Sequence, residues 1–462
     1  MLQINPPIES IIKSLGKQIV KKQKYRPFTY ILEQVIEDGI LLYNFMTREF
    51  VLLSHEEYVS LNILNPDNAL YNDLIEKWFY VPEDNDDYKT FIQSESIARI
   101  IHDNGNRGPM KTFIIYSTTD CNARCFYCFE LKCNRINMTE KTANDVADYI
   151  INKSEGNDVN LLWFGGEPLY NMKPIDIITQ KLVDNNIAFT SKMTSNAYLF
   201  DDSVVEKATK LWNLKSVQIT LDGTETVYNR CKAYIYKDEI SPFLKVISNI
   251  ERILKANIFV QIRLNIDIHN CDDLSDLTKY LLKNFEKYDN YHIYMAPLID
   301  KTPIYEKHRS LEEKTKLWNK IAELESLLKE NNKSLESGVE YLRTTKHCMA
   351  DNNCATTILP NGNLGKCEHY LDSDFYGSIY SEEVDNFYIN KFKEVKDFGE
   401  KCHTCPLQPK CLPLKYCGCN PIDCDEFDKK IKIEEFKRQM TVSYNYYKSN
   451  NSFKEISDNE LV

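Results

Sequence analysis

The stretch STTDCNARCFYCFE, residues 117–130, sets Cys121, Cys125 and Cys128 with three and then two residues between them. Thiolates are nucleophiles and ligands for soft metals and iron–sulfur clusters. A zinc ribbon normally supplies two C-x2-C knuckles, and a disulfide framework belongs in a small secreted domain. Neither pattern fits this spacing easily. In a four-iron cube each iron needs a ligand, so three thiolates leave one iron open to a substrate or cofactor. A zinc knuckle completed by Cys133 is the structural alternative.

The surrounding chain limits the choices. Its 462 residues suffice for two or three domains, and 43% hydrophobic with 27% charged residues is ordinary for a globular protein. No run approaches the roughly 18–20 apolar residues of a spanning helix, so no membrane association is expected. The N-terminus lacks the order of a signal peptide, which makes a cytoplasmic location the expectation. A net charge of -11 argues against a general nucleic-acid binder. Of 15 cysteines, none precedes residue 121, four lie between 121 and 133, and nine lie between 348 and 424. In a reducing compartment such clusters point to metal ligands or catalytic thiols. Cys231 and Cys271 stand alone and read as buried, inert thiols.

Those thiols must be positioned by regular elements. From about 110 to 300, short apolar runs (TFIIYS, NLLWF, FTSKM, SVQITL, FVQIRLNI, YHIYMAP) alternate with helical stretches. Such alternation predicts βαβ units and a parallel sheet, with functional residues at the C-terminal ends of the strands. Six strands are too few for a closed eight-stranded barrel, so the expected fold class is α/β, an open partial (β/α)6 TIM-type barrel. The three thiols directly follow its first strand. Ahead of it, residues 1–105 read as a small α+β domain with a hairpin turn at Glu37-Asp38-Gly39 and a capping box at Ser54 and Glu57. The barrel is expected over 106–308 and a linker helix over 309–340, with Leu317, Ile321, Leu324 and Leu328 on one face. A Cys-rich segment ending in a further helix occupies 341–462.

C-x3-C-x2-C with Tyr127 before the last Cys, in the first βα loop, resembles the radical S-adenosylmethionine (SAM) superfamily. The resemblance implies that Cys121, Cys125 and Cys128 hold a [4Fe-4S] cluster whose open iron chelates SAM, with the backbone near Tyr127 facing the adenine. Further motifs agree in order. WFGGEP ends the second strand, and Gly165, Gly166 and Glu167 resemble the loop that receives the SAM amino group; residues without Cβ let backbone carbonyls approach closely. Thr194, Ser195 and Asn196 end the third strand and resemble the ribose-side segment. Asp222, before Gly223, ends the fourth, either as a ligand-binding residue or as a turn Asp. Arg263, on the fifth, resembles the cation that pairs with the SAM carboxylate.

The tail has its own pattern. Pro360-Asn361-Gly362 marks a hairpin between Cys354 and Cys367. Gly362 to Cys367 as G-x4-C, followed by C-x2-C-x5-C at Cys402, Cys405 and Cys411, resembles the SPASM extension of radical SAM peptide-modifying enzymes. That resemblance implies two auxiliary [4Fe-4S] clusters, one on Cys348, Cys354, Cys367 and Cys417, the other on Cys402, Cys405, Cys411 and Cys424. The family commonly has three residues after the third cysteine of that motif; here LPLKY supplies five, so Cys419 competes with Cys417 and Cys424. Glu368, directly after Cys367, is either a catalytic proton acceptor or a surface carboxylate. A zinc-binding tail is the structural alternative.

The implied activity is modification of a ribosomally made precursor peptide by hydrogen abstraction, with SAM and three [4Fe-4S] clusters as cofactors and a flavodoxin or ferredoxin as electron donor. A Cys thioether is the leading product, ahead of other side-chain crosslinks. The N-terminal domain would grip the peptide's leader as a strand added beside the hairpin near residues 28–53. The runner-up is a sulfatase-maturating enzyme that makes formylglycine, and the non-enzymatic alternative is a metal-stabilised binding protein.

Overall fold

Apolar residues at alternate positions make strands, and those at three- and four-residue spacing make helices that cover them. The structure, a computed structural model, describes residues 1–3, 24–61, 69–105, 108–237, 239–298, 310–334, 348–394, 397, 399–411 and 424–450. The chain divides into two compact units, one of residues 1–107, 337–348 and 393–462, the other of 108–336 and 349–392.

In the first unit, β1 (Leu2–Gln3), β3 (Ile31–Ile36), β4 (Gly39–Asn44) and β5 (Phe50–Leu53) form an antiparallel sheet in the order β1-β5-β4-β3, and β2 (Tyr25–Pro27) pairs with β6 (Tyr80–Pro82). The expected hairpin turn at Glu37-Asp38 joins β3 to β4, with Ile36 opposite Gly39. Gly39 has φ 145°, and a Cβ there would lie 2.0 Å from the Leu53 carbonyl oxygen, so glycine is required. The capping box at Ser54 and Glu57 starts the helix His55–Ser60. Both faces of β4 are buried. Leu41 and Tyr43 face one cluster with Phe45 and Phe50, while Ile40 and Leu42 face another with Leu74, Ile75 and Phe79. The first cluster also takes Phe436, Met440 and Tyr444 from the C-terminal helix Glu426–Asn450. The segment expected as one extension over 341–462 is therefore divided, and its last helix shares a core with the N-terminal sheet.

The second unit holds the six expected strands: β7 (Thr112–Tyr116), β8 (Val159–Phe164), β9 (Phe189–Ser195), β10 (Leu214–Leu221), β11 (Phe259–Ile266) and β12 (Tyr291–Pro297). They are parallel and lie in chain order. Three further strands, β13 (Ala355–Ile358), β14 (Asn363–Gly365) and β15 (Gly377–Ser378), extend the sheet beyond β7, with β13 parallel to it. The hairpin at Pro360-Asn361-Gly362 thus belongs to this sheet.

Helices cover one face. The helix Pro242–Lys255 buries Phe243, Val246, Ile247, Ile250, Ile253 and Leu254, each contributing about 1.5–3 kcal/mol by removal from water. The helix Leu311–Glu330, expected as a connection, buries Leu317, Ile321, Leu324 and Leu328 in the same core. The opposite face is polar along β9 to β12, where Thr194, Gln218 and Arg263 remain half-buried between buried neighbours and Tyr294 is likewise half-buried. That alternation is how an open barrel keeps one wall for its core and one for a ligand.

Candidate functional site

The loop after β7 carries the three thiols and is held by its own polar residues. Thr118 Oγ1 donates to Asn137 Oδ1 at 2.6 Å, and Thr119 Oγ1 donates to the Asn134 carbonyl at 2.6 Å. Cys128 N donates to the Cys125 carbonyl at 3.1 Å, forming a turn. The sulfur of Cys121 accepts N–H groups from Ala123 at 3.3 Å and from the Asn196 amide at 3.8 Å. Donors aimed at a sulfur suit a thiolate ligand.

The loop after β8 closes directly on this segment. Gly166 N donates to the Thr118 carbonyl at 3.2 Å and Glu167 N to the Asp120 carbonyl at 2.9 Å. A Cβ on Gly165 would sit 2.2 Å from the Thr118 oxygen, and one on Gly166 2.2 Å from the Asp120 oxygen. The two glycines therefore allow two loops to touch backbone to backbone, a role the sequence reading assigned only to ligand approach.

Glu167 is fully buried. Its carboxylate accepts from Ser195 Oγ at 2.8 Å, Asn196 N at 2.7 Å and Leu169 N at 3.2 Å. Burial pushes its pKa up to about 7, against the pull of those donors. Because the folded state holds this proton more tightly than an ordinary carboxylate at 4.5, the apoprotein loses stability as pH rises through 4.5 to 7. Glu167→Gln should flatten that part of the stability profile. It should also cost about 1–3 kcal/mol, since an amide cannot accept on both sides. Thermal melts of the apoprotein between pH 4.5 and 7 check both effects.

Asn196, after β9, donates to Asn122 Oδ1 at 2.7 Å and so ties the third strand to the thiol loop. Thr194 lies on the polar face of β9. Asp222, after β10, accepts from the Tyr127 hydroxyl at 2.7 Å and from Asn265 Nδ2 at 3.1 Å, and pairs with Lys232 at 3.1 Å. It is more than a turn residue. Arg263 lies on the polar face of β11, opposite Thr220 and Tyr294 in register. Its Nε is buried without a hydrogen-bond partner in the structure. Lys232, Asn122 and Asn265 escaped the sequence reading, because no short motif carries them.

The site has the donors a cluster needs. Burial pushes Cys121 and Cys128 up to about 12, and raises Cys125. Cys125 and Cys128 each push Cys121 further up, and Cys125 does the same to Cys128, which places the three within electrostatic range. Bare thiols here stay protonated, and only a bound metal centre would hold them as thiolates. Among the described residues, no three His, Cys, Asp or Glu side chains gather closely enough for a single metal ion, Cys133 included. A four-iron cube spaces its ligands more widely than one ion does.

In the tail, Cys402, Cys405, Cys411 and Cys424 lie within one another's electrostatic range. Lys432 Nζ reaches the Cys424 sulfur at 3.8 Å, and Lys401 Nζ donates to the Cys424 carbonyl at 3.2 Å. In the other unit, the β13–β14 register brings buried Cys354 and Cys367 to the same open end of the hairpin. Cys348 is exposed and falls in the first unit. Cys417 and its competitor Cys419 lie outside the described residues. Glu368 is half-buried, with Oε2 unpartnered, and its carbonyl accepts from the Tyr116 hydroxyl at 2.7 Å.

Comparison with known proteins bears on the centre of this arrangement. Residues 115–281 match the sequence model of the Radical SAM superfamily. An uncharacterized protein of Methanocaldococcus jannaschii is 35% identical over 118 residues, which span 25% of this chain and 40% of that relative. Two structures of anSMEcpe align at 16% identity. The hexahistidine-tagged protein with bound AdoMet has a TM-score of 0.56 over 73% of this chain and 100% of its own. The native protein with bound AdoMet and Cp18Cys peptide has a TM-score of 0.53 over 73% and 99%. Streptococcus suis SuiB bound to precursor peptide SuiA aligns at 15% identity and TM-score 0.49, over 84% of this chain and 95% of its own. The superfamily uses SAM and a [4Fe-4S] cluster. The match to the Radical SAM model falls on an α/β fold with a parallel sheet, and its first residues are the end of β7 and the thiol loop.

Proposed function

We propose that the chain is a radical SAM enzyme that modifies a ribosomally made precursor peptide and carries two auxiliary clusters of SPASM type. The observation that carries this reading is the convergence of four strand ends on one loop. The thiols after β7, the glycines after β8, Asn196 after β9 and Asp222 after β10 are joined by direct hydrogen bonds. Cys121, Cys125 and Cys128 would hold a [4Fe-4S] cluster that, when bound together with SAM, would supply the radical chemistry for removing hydrogen from the peptide. The carbonyls around Gly165 and Gly166 would receive the SAM amino group, Thr194 and Ser195 would lie on its ribose side, and Arg263, whose Nε is buried without a partner, would pair with the carboxylate. As the product bond closes, Glu368 would accept the proton released, which its buried, unpartnered oxygen favours, and the auxiliary clusters would take up the accompanying second electron.

The four tail thiols and their lysines support a second cluster on Cys402, Cys405, Cys411 and Cys424, since cations offset thiolate charge. The first auxiliary cluster, on Cys354 and Cys367 with Cys348 and Cys417, rests on the sequence pattern. The peptide bound to anSMEcpe supports a peptide as the substrate class. A flavodoxin or ferredoxin supplies the electron. A thioether from a peptide Cys is the leading product, and formylglycine is the second reading.

Leader recognition is assigned to β3, an outer strand of its sheet among the described residues. With a two-residue turn closing on the Ile36–Gly39 pair, Ile31, Glu33 and Val35 turn their N–H groups toward the open edge. Val35 is 66% exposed. Deleting residues 1–105 would strip the core under Phe436 and Met440, so an edge substitution is the cleaner test. Val35→Pro should weaken peptide binding by about tenfold, the loss of one or two strand hydrogen bonds. Fluorescence anisotropy with the precursor peptide measures this, while deoxyadenosine formation without peptide stays unchanged. Unaltered affinity removes β3 as the docking edge. Co-expression with candidate precursors and mass spectrometry tests the product: crosslinking predicts loss of two hydrogens, dependent on Cys121.

A further inference from the structure

One buried cation belongs to no recognised motif. Lys232 ends the helix Glu225–Lys232, and its side chain is 4% exposed. Its Nζ lies 3.1 Å from Asp222 Oδ2 and donates to the Tyr127 hydroxyl at 3.0 Å, while that hydroxyl donates to Asp222 Oδ1 at 2.7 Å. The main chain repeats the attachment. Arg124 N donates to the Lys232 carbonyl at 2.8 Å, and Ile235 N donates to the Asn122 carbonyl at 2.9 Å. The segment 232–235 is thus fastened by backbone to the loop between Cys121 and Cys125, and by side chain to the residue before Cys128.

A buried ion pair is a poor device for stability alone, because apolar replacements of similar volume are often neutral or better. Its value here is electrostatic. The Lys232 carbonyl is bonded to Arg124 N and its ammonium to the Tyr127 hydroxyl, residues on either side of Cys125, so its charge lies close to that sulfur. Burial pulls the ammonium's own pKa down, the Asp222 carboxylate at 3.1 Å pushes it up, and the net shift is upward, so it stays charged. Away from water such a charge acts with less screening than at the surface.

We propose that Lys232 is a positioning residue that fixes the thiol loop through Tyr127 and keeps a positive charge beside Cys125, favouring the reduced state of the cluster held there. This rests on the reading of Cys121, Cys125 and Cys128 as cluster ligands. A fixed cation stabilises whichever state carries more negative charge, and reduction adds one. The helix end then serves two ends at once: it holds the loop's shape and sets how readily its cluster accepts an electron.

The test is a redox titration of the full-length, anaerobically reconstituted protein, followed through the EPR signal that added SAM perturbs. Lys232→Met removes the charge at similar length, and should cut the reduced-to-oxidised ratio about tenfold at a fixed potential. For a one-electron couple that is a shift of about 59 mV to more negative potential. Lys232→Arg should restore the wild-type midpoint. Asp222→Asn, which removes the opposing charge, should shift it the other way. A purely structural Lys232 would lower cluster content in Lys232→Met without moving the midpoint of the fraction that loads, and that outcome overturns the proposal. If Lys232→Met takes up no cluster, the sign from Asp222→Asn decides: a positive shift supports the proposal and no shift overturns it. A wild-type chain that takes up no iron overturns the cluster reading itself, and this proposal with it.

Discussion

Alanine at Cys121, Cys125 or Cys128 should abolish 5′-deoxyadenosine formation, to the level of a protein-free control. On the proposed assignment each thiol is the ligand for one iron of the cube. Cys133 is the nearest spare cysteine in sequence, five residues beyond Cys128. Two thiols and burial cannot hold the cube, because a buried thiol in this loop stays protonated without its metal. The control is Cys271→Ala. Cys271 is fully buried in the hydrophobic core of the sheet unit and makes no contact with the three thiols that the structure records. Truncating its small side chain should cost about 1 kcal/mol of stability and leave SAM cleavage intact. Deoxyadenosine release, with iron and sulfide content measured on the same samples, separates the two outcomes. Full activity from any of the three alanine variants would remove that cysteine from the site.

Gly166→Ala is the second large effect. The added Cβ would stand 2.2 Å from the Asp120 carbonyl oxygen and 2.5 Å from its carbon, both backbone atoms that cannot rotate away. The loop after β8 must then separate from the thiol loop, breaking the bonds from Gly166 N to Thr118 and from Glu167 N to Asp120. A displacement of about 1 Å at a reacting centre costs on the order of 10²-fold in rate, and that is the expected loss in SAM cleavage. The core beneath is untouched, so the far-ultraviolet circular dichroism should match the wild type. A variant with normal SAM cleavage would show that the contact between these loops is dispensable.

Much of this was legible in local sequence. The six strands of the parallel sheet fall where the apolar runs predict them, because strand and helix periods differ clearly over windows of this length. The capping box at Ser54 and the turn at Asn361-Gly362 were equally readable, since each depends on residues a few positions apart. The partners of Asp222 were not. Lys232 and Tyr127 reach it from 10 residues ahead and 95 behind, and no spacing rule links such positions. The C-terminal helix gave its existence away but not its place. Phe436, Met440 and Tyr444 join Tyr43 and Phe45 in one core, a pairing set by tertiary packing alone. The hairpin between Cys354 and Cys367 likewise looked like part of a separate tail. Its strand β13 instead takes the open edge of β7, where an unpaired ladder needed a partner.

Metal content separates an enzyme from a zinc-stabilised scaffold, since three cubes require about twelve irons per chain. Turnover is the more direct measure of the central claim. The full-length chain, reconstituted anaerobically and reduced with dithionite, should convert SAM to 5′-deoxyadenosine and methionine in equal amounts, and Cys121→Ala should not. A wild-type protein that carries its iron and sulfide, yet forms no 5′-deoxyadenosine from SAM, would contradict it.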